Sequence, residues 1–317
     1  MLHHAMRAAA ALLLCATTAM ASAAGPRQPA DPTAPPRLAS AAALVQAVNG
    51  GRTALARGVG ETRSIASITK LMTAIVVLDE GLPLSDILDV GEDDADTVKG
   101  TRSRLKRARL LTREELLTAA LLSSDNMAAL ALSRHSAGGR EAFVRRMNLK
   151  ARRLGLLDTA FVDPAGLSPE NRATAEDVAR LLAVANGYPF IRAVTTRRDA
   201  LIHGVAYRNT NPWAAEPEWG IQLSKTGFTN EAGRCIAVIM EVAGAQYSVV
   251  LLGAKSLRAR ARDLAQIRQW LHHRHAASAA LPAALQAPRW EVDEEGRGVG
   301  KGPAGVGTLI ETVEGER

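Results

Sequence analysis

The sequence is most informative at Ser67-Ile68-Thr69-Lys70, which leads into the apolar run Leu71-Met72-Thr73-Ala74-Ile75-Val76-Val77-Leu78. This pattern predicts a buried helix that begins at about Ser67. Positions i and i+3 share one helix face, so we expect the Lys70 amine to lie beside the Ser67 hydroxyl. Because an adjacent base activates a hydroxyl, the pair indicates a serine acyl-transfer enzyme. A helix start with a solvated lysine has the same local pattern, so the pair needs partners elsewhere in the chain.

Two further polar motifs supply candidate partners. Ser124-Asp125-Asn126 lies at a break between two predicted helices, where a helix-capping cluster is the alternative interpretation. Lys225-Thr226-Gly227 lies on a predicted strand, where the glycine lets another backbone approach closely and a polar edge strand is the alternative. In this chain order the three motifs form the signature of penicillin-binding proteins and class A β-lactamases.

Longer stretches narrow this resemblance. The segments at 65–74 and 161–168 resemble the low-molecular-mass penicillin-binding proteins, the D-alanyl-D-alanine peptidase family. Two others, Gly100-Thr101-Arg102-Ser103-Arg104-Leu105 and Tyr207-Arg208-Asn209-Thr210-Asn211-Pro212, are similar to its soluble endopeptidase branch, the penicillin-binding protein 7 type. The resemblance covers about residues 40–272, and Ser64 stands where the family pattern has proline.

The resemblance implies a role for each motif residue. Ser67 is expected to be the nucleophile, Lys70 its general base and Ser124 the relay that protonates the leaving amine. The backbone N–H groups of Ser67 and Phe228 are expected to form an oxyanion hole. The expected substrate-binding residues are Asn126, Lys225, Thr226, Gly227 and Phe228. No metal and no cofactor is implied.

The order of predicted elements gives the fold class. A hairpin at 41–57 is followed by helices, and then by β-rich segments at 200–209, 219–229, 232–243 and 246–254 with a basic helix at 256–274. The simplest arrangement of these elements is an α+β fold, and the resemblance to the D-alanyl-D-alanine peptidases implies that it is serine β-lactamase/transpeptidase-like. Its antiparallel sheet is built from both chain ends and flanked by helices, with an all-helical lobe inserted between them.

The amino-terminal segment predicts that the protein is exported. Residues 1–23 resemble a signal peptide that ends at Ala21-Ser22-Ala23, and 24–39 form a proline-rich linker. The peptidase domain is predicted at 40–275, with a disordered tail at 276–317 and no stable membrane anchor. We therefore expect a periplasmic protein. The net charge of +7 comes mainly from scattered arginines without aromatic interleaving, which argues against nucleic-acid binding.

The expected function is cleavage of D-alanyl bonds in peptidoglycan peptide stems, with β-lactams as covalent inhibitors. The endopeptidase resemblance favours the D-alanyl to meso-diaminopimelate cross-link, and D-alanyl-D-alanine carboxypeptidase activity is the alternative. A class A β-lactamase is disfavoured because no E-x-x-L-N element lies between Asn126 and Lys225, and Glu170-Asn171 has the wrong spacing. A non-catalytic peptidoglycan-binding protein is disfavoured because binding alone does not need all three motifs.

Overall fold

A computed structural model describes residues 31–48, 51–107, 110–280, 289–292 and 298–301. The strands of its main sheet and of its short pairs are β1 (Ala42–Ala47), β2 (Thr53–Arg57), β3 (Arg63–Ser64), β4 (Ile87–Asp89), β5 (Leu110–Thr112), β6 (Arg172–Ala173), β7 (Asp199–Ile202), β8 (Val205–Arg208), β9 (Ile221–Thr229), β10 (Gly233–Val242), β11 (Ala245–Ala254), β12 (Arg289–Val292) and β13 (Gly298–Lys301).

The α-helices of the described residues fill the middle of the chain and follow the last strand of the main sheet. They are α1 (Lys70–Asp79), α2 (Arg113–Leu122), α3 (Asn126–Arg134), α4 (Gly139–Arg153), α5 (Ala175–Asn186), α6 (Pro189–Thr195) and α7 (Leu257–Ala280). No helix in this part of the chain is both long enough and apolar enough to span a membrane.

The main sheet has the order β2-β1-β11-β10-β9 and is antiparallel throughout. Two of its strands come from the amino-terminal part of the domain and three from the carboxyl-terminal part. The fold class predicted from the sequence is therefore confirmed. Strand β9, which carries Lys225-Thr226-Gly227, is an edge strand, so one of its sides is free to face a cleft.

Both faces of the sheet are covered, which explains its continuous apolar strands. Leu44 belongs to the core shared with α1 and α5, whereas its neighbour Val45 packs in the core under α7. Successive side chains of a strand point to opposite faces, so a strand covered on both sides is apolar at successive positions, as residues 236–240 of β10 are. On the α7 side the contact is made by Leu264, Ile267 and Trp270.

Side-chain caps begin two of the helices, because a side-chain oxygen satisfies backbone N–H groups that have no partner in the helix. Thr112 and Glu115 form the capping box that begins α2, and Thr174 caps α5. Two elements differ from the prediction. The β-rich segment at 200–209 is a separate hairpin, β7–β8, and α6 was not predicted.

The last helix of the described residues runs past residue 275, where the sequence placed the end of the domain. Helix α7 continues through Ala280, so the predicted domain end at 275 falls inside the helix. Strands β12 and β13 pair with each other within the segment that was predicted to be disordered. The predicted signal peptide and residues 24–30 of the proline-rich linker lie outside the described residues.

Candidate active site

The Ser67 hydroxyl is held by a tight turn between β3 and α1. This turn is a single 3-10 helix, Ala66–Thr69, and Ala66 adopts a left-handed conformation with φ +46°. Two glycines from distant segments allow the turn to pack closely. A Cβ atom at Gly166 would lie 2.0 Å from the Ala66 carbonyl oxygen, and one at Gly227 would lie 2.7 Å from that of Ile65. Strand β9 is therefore pressed directly against the backbone that carries Ser67.

The Lys70 amine lies beside that hydroxyl in a buried position. Its Nζ donates hydrogen bonds to Ser67 Oγ at 3.0 Å, to Asn126 Oδ1 at 2.7 Å and to the Ala165 carbonyl at 2.6 Å. Burial lowers the pKa of Lys70 to about 8, although the carboxylates of Asp163, Asp125 and Asp96 oppose that shift. Lys70 thus loses its proton far more easily than an exposed lysine.

Asp163 fixes the carbonyl that contacts Lys70. Its carboxylate accepts hydrogen bonds from the backbone N–H groups of Ala165, Gly166, Leu167 and Ser168. This arrangement holds the 163–168 loop rigid and aims the Ala165 carbonyl at Lys70 Nζ. Asp163 lies in the stretch at 161–168 that resembled the family, but its role in the site was not predicted.

A second lysine–serine pair faces the first one across the cleft. Lys225 Nζ donates to Ser124 Oγ at 2.9 Å and to the Thr226 carbonyl at 3.1 Å. Ser124 has a left-handed backbone, φ +63°, at the break between α2 and α3. Burial lowers the pKa of Lys225 well below its usual range, and the positive charges of Lys70 and Arg260 lower it further. The Ser124 hydroxyl therefore accepts a hydrogen bond from a buried amine that gives up its proton more easily than an exposed lysine does.

The predicted site residues line one cavity of about 530 Å³ or contact those that do. Ser67, Ser124, Asn126, Thr226, Gly227 and Phe228 line it, while Lys70 and Lys225 reach its serines from behind. The Thr226 hydroxyl donates to Thr210 Oγ1 at 2.7 Å, and the side chain of Phe228 is partly exposed at the rim. Three motifs far apart in sequence thus meet in one cleft.

Arginines line the same cleft, and sequence reasoning missed them. Arg260 is buried, and Nη1 donates only a long bond, 3.4 Å, to the Cys235 carbonyl. Arg234 stacks over the Phe228 ring with its guanidinium carbon 3.5 Å from the ring centre. The sequence signal was the basic character of α7, but nothing in it showed that Arg260 turns inward. Cys235 itself is buried, and burial raises the pKa of its thiol to about 11.

The arrangement of lysines and serines is that of a serine acyl-transfer site, and comparisons with known proteins agree. Residues 29–256 match the family model for D-alanyl-D-alanine carboxypeptidase. The chain belongs to this family. The DD-peptidase is also 37% identical to a D-alanyl-D-alanine endopeptidase of Pseudomonas aeruginosa, over 92% of this chain and 94% of that protein.

Other relatives of this DD-peptidase support the same assignment. A D-alanyl-D-alanine endopeptidase of Escherichia coli is 37% identical over 74% of this chain and 78% of that protein. A cefotaxime-bound penicillin-binding protein from Listeria monocytogenes has a similar structure, with a TM-score of 0.68 and 26% identity. That match covers 75% of this chain and 98% of the other. By family, the protein is a serine-type DD-peptidase.

Replacing Gly166 in this DD-peptidase with alanine should slow acylation by benzylpenicillin about 100-fold. The added Cβ would collide with the Ala66 carbonyl and displace the Ser67 turn, and a shift of about 1 Å at a reacting group costs about that factor. Gly204→Ala is the matched control, since Gly204 has a similar φ of +76° but open space around its Cβ position. The second-order acylation rates of both variants test this. Equal rates would show that the close approach at Gly166 is unimportant.

Proposed function

We propose that the protein is a periplasmic DD-endopeptidase that cleaves the D-alanyl to meso-diaminopimelate cross-link through an acyl-enzyme on Ser67. The observation that carries the proposal is the 3.0 Å contact between Lys70 Nζ and Ser67 Oγ in a site that lowers the pKa of Lys70. Two relatives named D-alanyl-D-alanine endopeptidases, each 37% identical to this chain, support the choice of bond.

The proposed reaction begins at Ser67. Neutral Lys70 accepts the Ser67 proton, and Oγ attacks the D-alanyl carbonyl carbon. The N–H groups of Ser67 and Phe228 stabilise the resulting oxyanion, an effect worth about 10²–10³ in rate for each donor. Ser124 relays the proton that Lys70 accepted to the leaving amine as the peptide bond breaks, which returns Lys70 to its neutral form, and Lys225 holds the Ser124 hydroxyl through its 2.9 Å hydrogen bond. Water then hydrolyses the acyl-enzyme.

We assign the substrate carboxylate next to the scissile bond to Thr226 and Arg260. The buried Arg260 guanidinium lines the cleft and keeps most of its donors free of partners among the described residues. A guanidinium binds a carboxylate through two parallel hydrogen bonds, so Arg260 suits this role better than a second lysine would. Asn126 is proposed to hold a substrate amide. Its Oδ1 accepts from Lys70 Nζ, and this hydrogen bond orients the Asn126 side chain at the cleft.

The acylation rate should rise with pH and level off above about pH 8. Below the Lys70 pKa of about 8 the amine is protonated and cannot accept the Ser67 proton, so the rate should fall about tenfold per pH unit. Benzylpenicillin acylation measured from pH 6 to 9 tests this dependence. A flat profile, or one that falls as the pH rises through 8, would contradict Lys70 as the base.

A purified cross-linked muropeptide dimer distinguishes the endopeptidase from the carboxypeptidase. The proposal predicts conversion of the dimer to monomers without release of free D-alanine. The carboxypeptidase alternative is favoured by the description of the family model. It predicts that free D-alanine is released from a pentapeptide monomer and that the dimer stays intact.

Export is tested separately. The amino-terminal sequence of the periplasmic protein should begin after Ala23, and a protein that keeps residues 1–23 would refute that cleavage site.

A further inference from the structure

Two segments beside the catalytic motifs have no part in the proposed mechanism. They are 101–104 and 207–210, which belong to the stretches that resemble the endopeptidase branch. The first is fastened to the Ser124-Asp125-Asn126 motif. Asn126 Nδ2 donates to Thr101 Oγ1 at 2.8 Å, and Ser103 Oγ donates to Asp125 Oδ2 at 2.7 Å. Arg102 and Arg104 are therefore held beside Ser124.

The second segment is fastened to the Lys225-Thr226-Gly227 strand. Thr210 accepts from the Thr226 hydroxyl and its N–H donates to the Leu122 carbonyl at 3.1 Å. Asn209 Nδ2 donates to the Thr195 carbonyl at 2.9 Å, so the backbone on both sides of this position is anchored. Arg208 thus projects from a rigid segment into the same part of the cleft. The Arg104 side chain donates to the Ala206 carbonyl, which lies immediately before the second segment.

These three arginines carry charge that is not neutralised locally. Arg102, Arg104 and Arg208 line the cleft and are exposed, and none has an ion-pair partner among residues 31–48, 51–107 and 110–280. Asp125 is the carboxylate among the residues that line the cleft; it accepts from the Ser103 hydroxyl and the Ala128 N–H, and its charge offsets one of the three arginines, so net positive charge remains. The wall next to Ser124 is therefore strongly positive, and such a wall attracts anions.

We propose that Arg102, Arg104 and Arg208 form a second carboxylate subsite that binds the peptide on the leaving side of the scissile bond. This inference rests on the proposed endopeptidase function. Ser124 protonates the leaving amine in that mechanism, and the three arginines surround the backbone that holds Ser124. The leaving peptide of a cross-link carries several carboxylates, whereas the leaving group of a carboxypeptidase is one D-alanine with a single carboxylate. The subsite thus favours the cross-link.

The test uses the Arg102→Gln/Arg208→Gln double variant of the full chain, which keeps Arg104 because that side chain also contacts the Ala206 carbonyl. Its kcat/KM for a cross-linked muropeptide dimer should fall at least tenfold more than its kcat/KM for a pentapeptide monomer or its benzylpenicillin acylation rate. A hydrogen bond to a charged group is worth about that factor. Arg258→Gln/Arg262→Gln removes the same charge from exposed positions of α7 and is the matched control.

A second measurement uses a dimer whose free carboxylates have been converted to amides, except the one next to the scissile bond that is assigned to Arg260. The kcat/KM of the wild-type enzyme should be at least tenfold lower for this substrate than for the unmodified dimer. The kcat/KM of the double variant should differ little between the two dimers. The proposal is overturned if the double variant loses the same factor in rate on the dimer, the pentapeptide monomer and benzylpenicillin, or if it cleaves the dimer at the wild-type rate. It is also overturned if the α7 control loses as much kcat/KM for the dimer as the double variant does. A wild-type enzyme that is acylated by penicillin but leaves the dimer intact overturns the endopeptidase function as well as the subsite.

Discussion

Ser67→Ala should abolish covalent labelling by a fluorescent penicillin and reduce peptide hydrolysis by on the order of 10⁶ in kcat. The methyl group that replaces the hydroxyl has no lone pair with which to attack a carbonyl. The fold should survive, because the turn at Ala66–Thr69 is held by backbone packing against Gly166 and Gly227. Gel fluorescence and the thermal unfolding midpoint measure the two effects separately.

Ser64→Ala is the matched control for that loss. It removes a serine hydroxyl three residues earlier that has no hydrogen-bond partner among the described residues. Labelling at the wild-type rate is expected, since Ser64 lies on β3 and does not line the cleft. Persistent labelling of the Ser67→Ala variant, or loss of labelling in both variants, would contradict the assignment of the nucleophile.

Lys70→Met should lower the acylation rate about 10²–10⁴-fold, the usual contribution of a general base. Methionine fills much of the same space and adds no charge, so the buried site should remain packed. The residual rate should also lose its dependence on pH near 8, because the group that titrates there is gone. Stopped-flow acylation of the variant between pH 6 and 9 measures both effects.

Lys150→Met is the control for removing a lysine from the helical part of the domain. Lys150 lies on α4, away from the cleft, and pairs with Asp79 at 2.8 Å. Its loss should leave acylation within about twofold, since partly exposed ion pairs contribute little. If Lys70→Met retained both the wild-type rate and its rise with pH, another group, such as Lys225, would have to be the base.

Much of this site could be predicted from the sequence because its reactive residues lie in short, recognisable motifs. Ser67 and Lys70 are one helical turn apart, so their contact follows from helix geometry. Ser124 lies at a helix break, and a break presents short polar side chains. The structure brings Ser67, Ser124 and Thr226 to one cavity, with Lys70 and Lys225 behind the two serines, while the role of each residue remains a prediction.

The remaining features depend on contacts between distant segments, which no local pattern encodes. Gly166 lets its loop pack against the backbone of Ala66, which lies one hundred residues earlier in the chain. Arg260 belongs to a helix whose other arginines, such as Arg258 and Arg262, are exposed, so its inward orientation follows only from how α7 packs on the sheet. The hairpin β7–β8 has the composition of sheet strands, but its two strands pair with each other across a turn at His203 and Gly204 and not with the main sheet.

Mass spectrometry of the benzylpenicillin-treated protein, followed by peptide mapping, tests the central claim most directly. The account predicts one added penicilloyl group per chain, on the peptide that contains Ser67 and on no other. An adduct on a different residue, or an unmodified protein that still hydrolyses cross-linked peptides, would contradict an acyl-enzyme on Ser67.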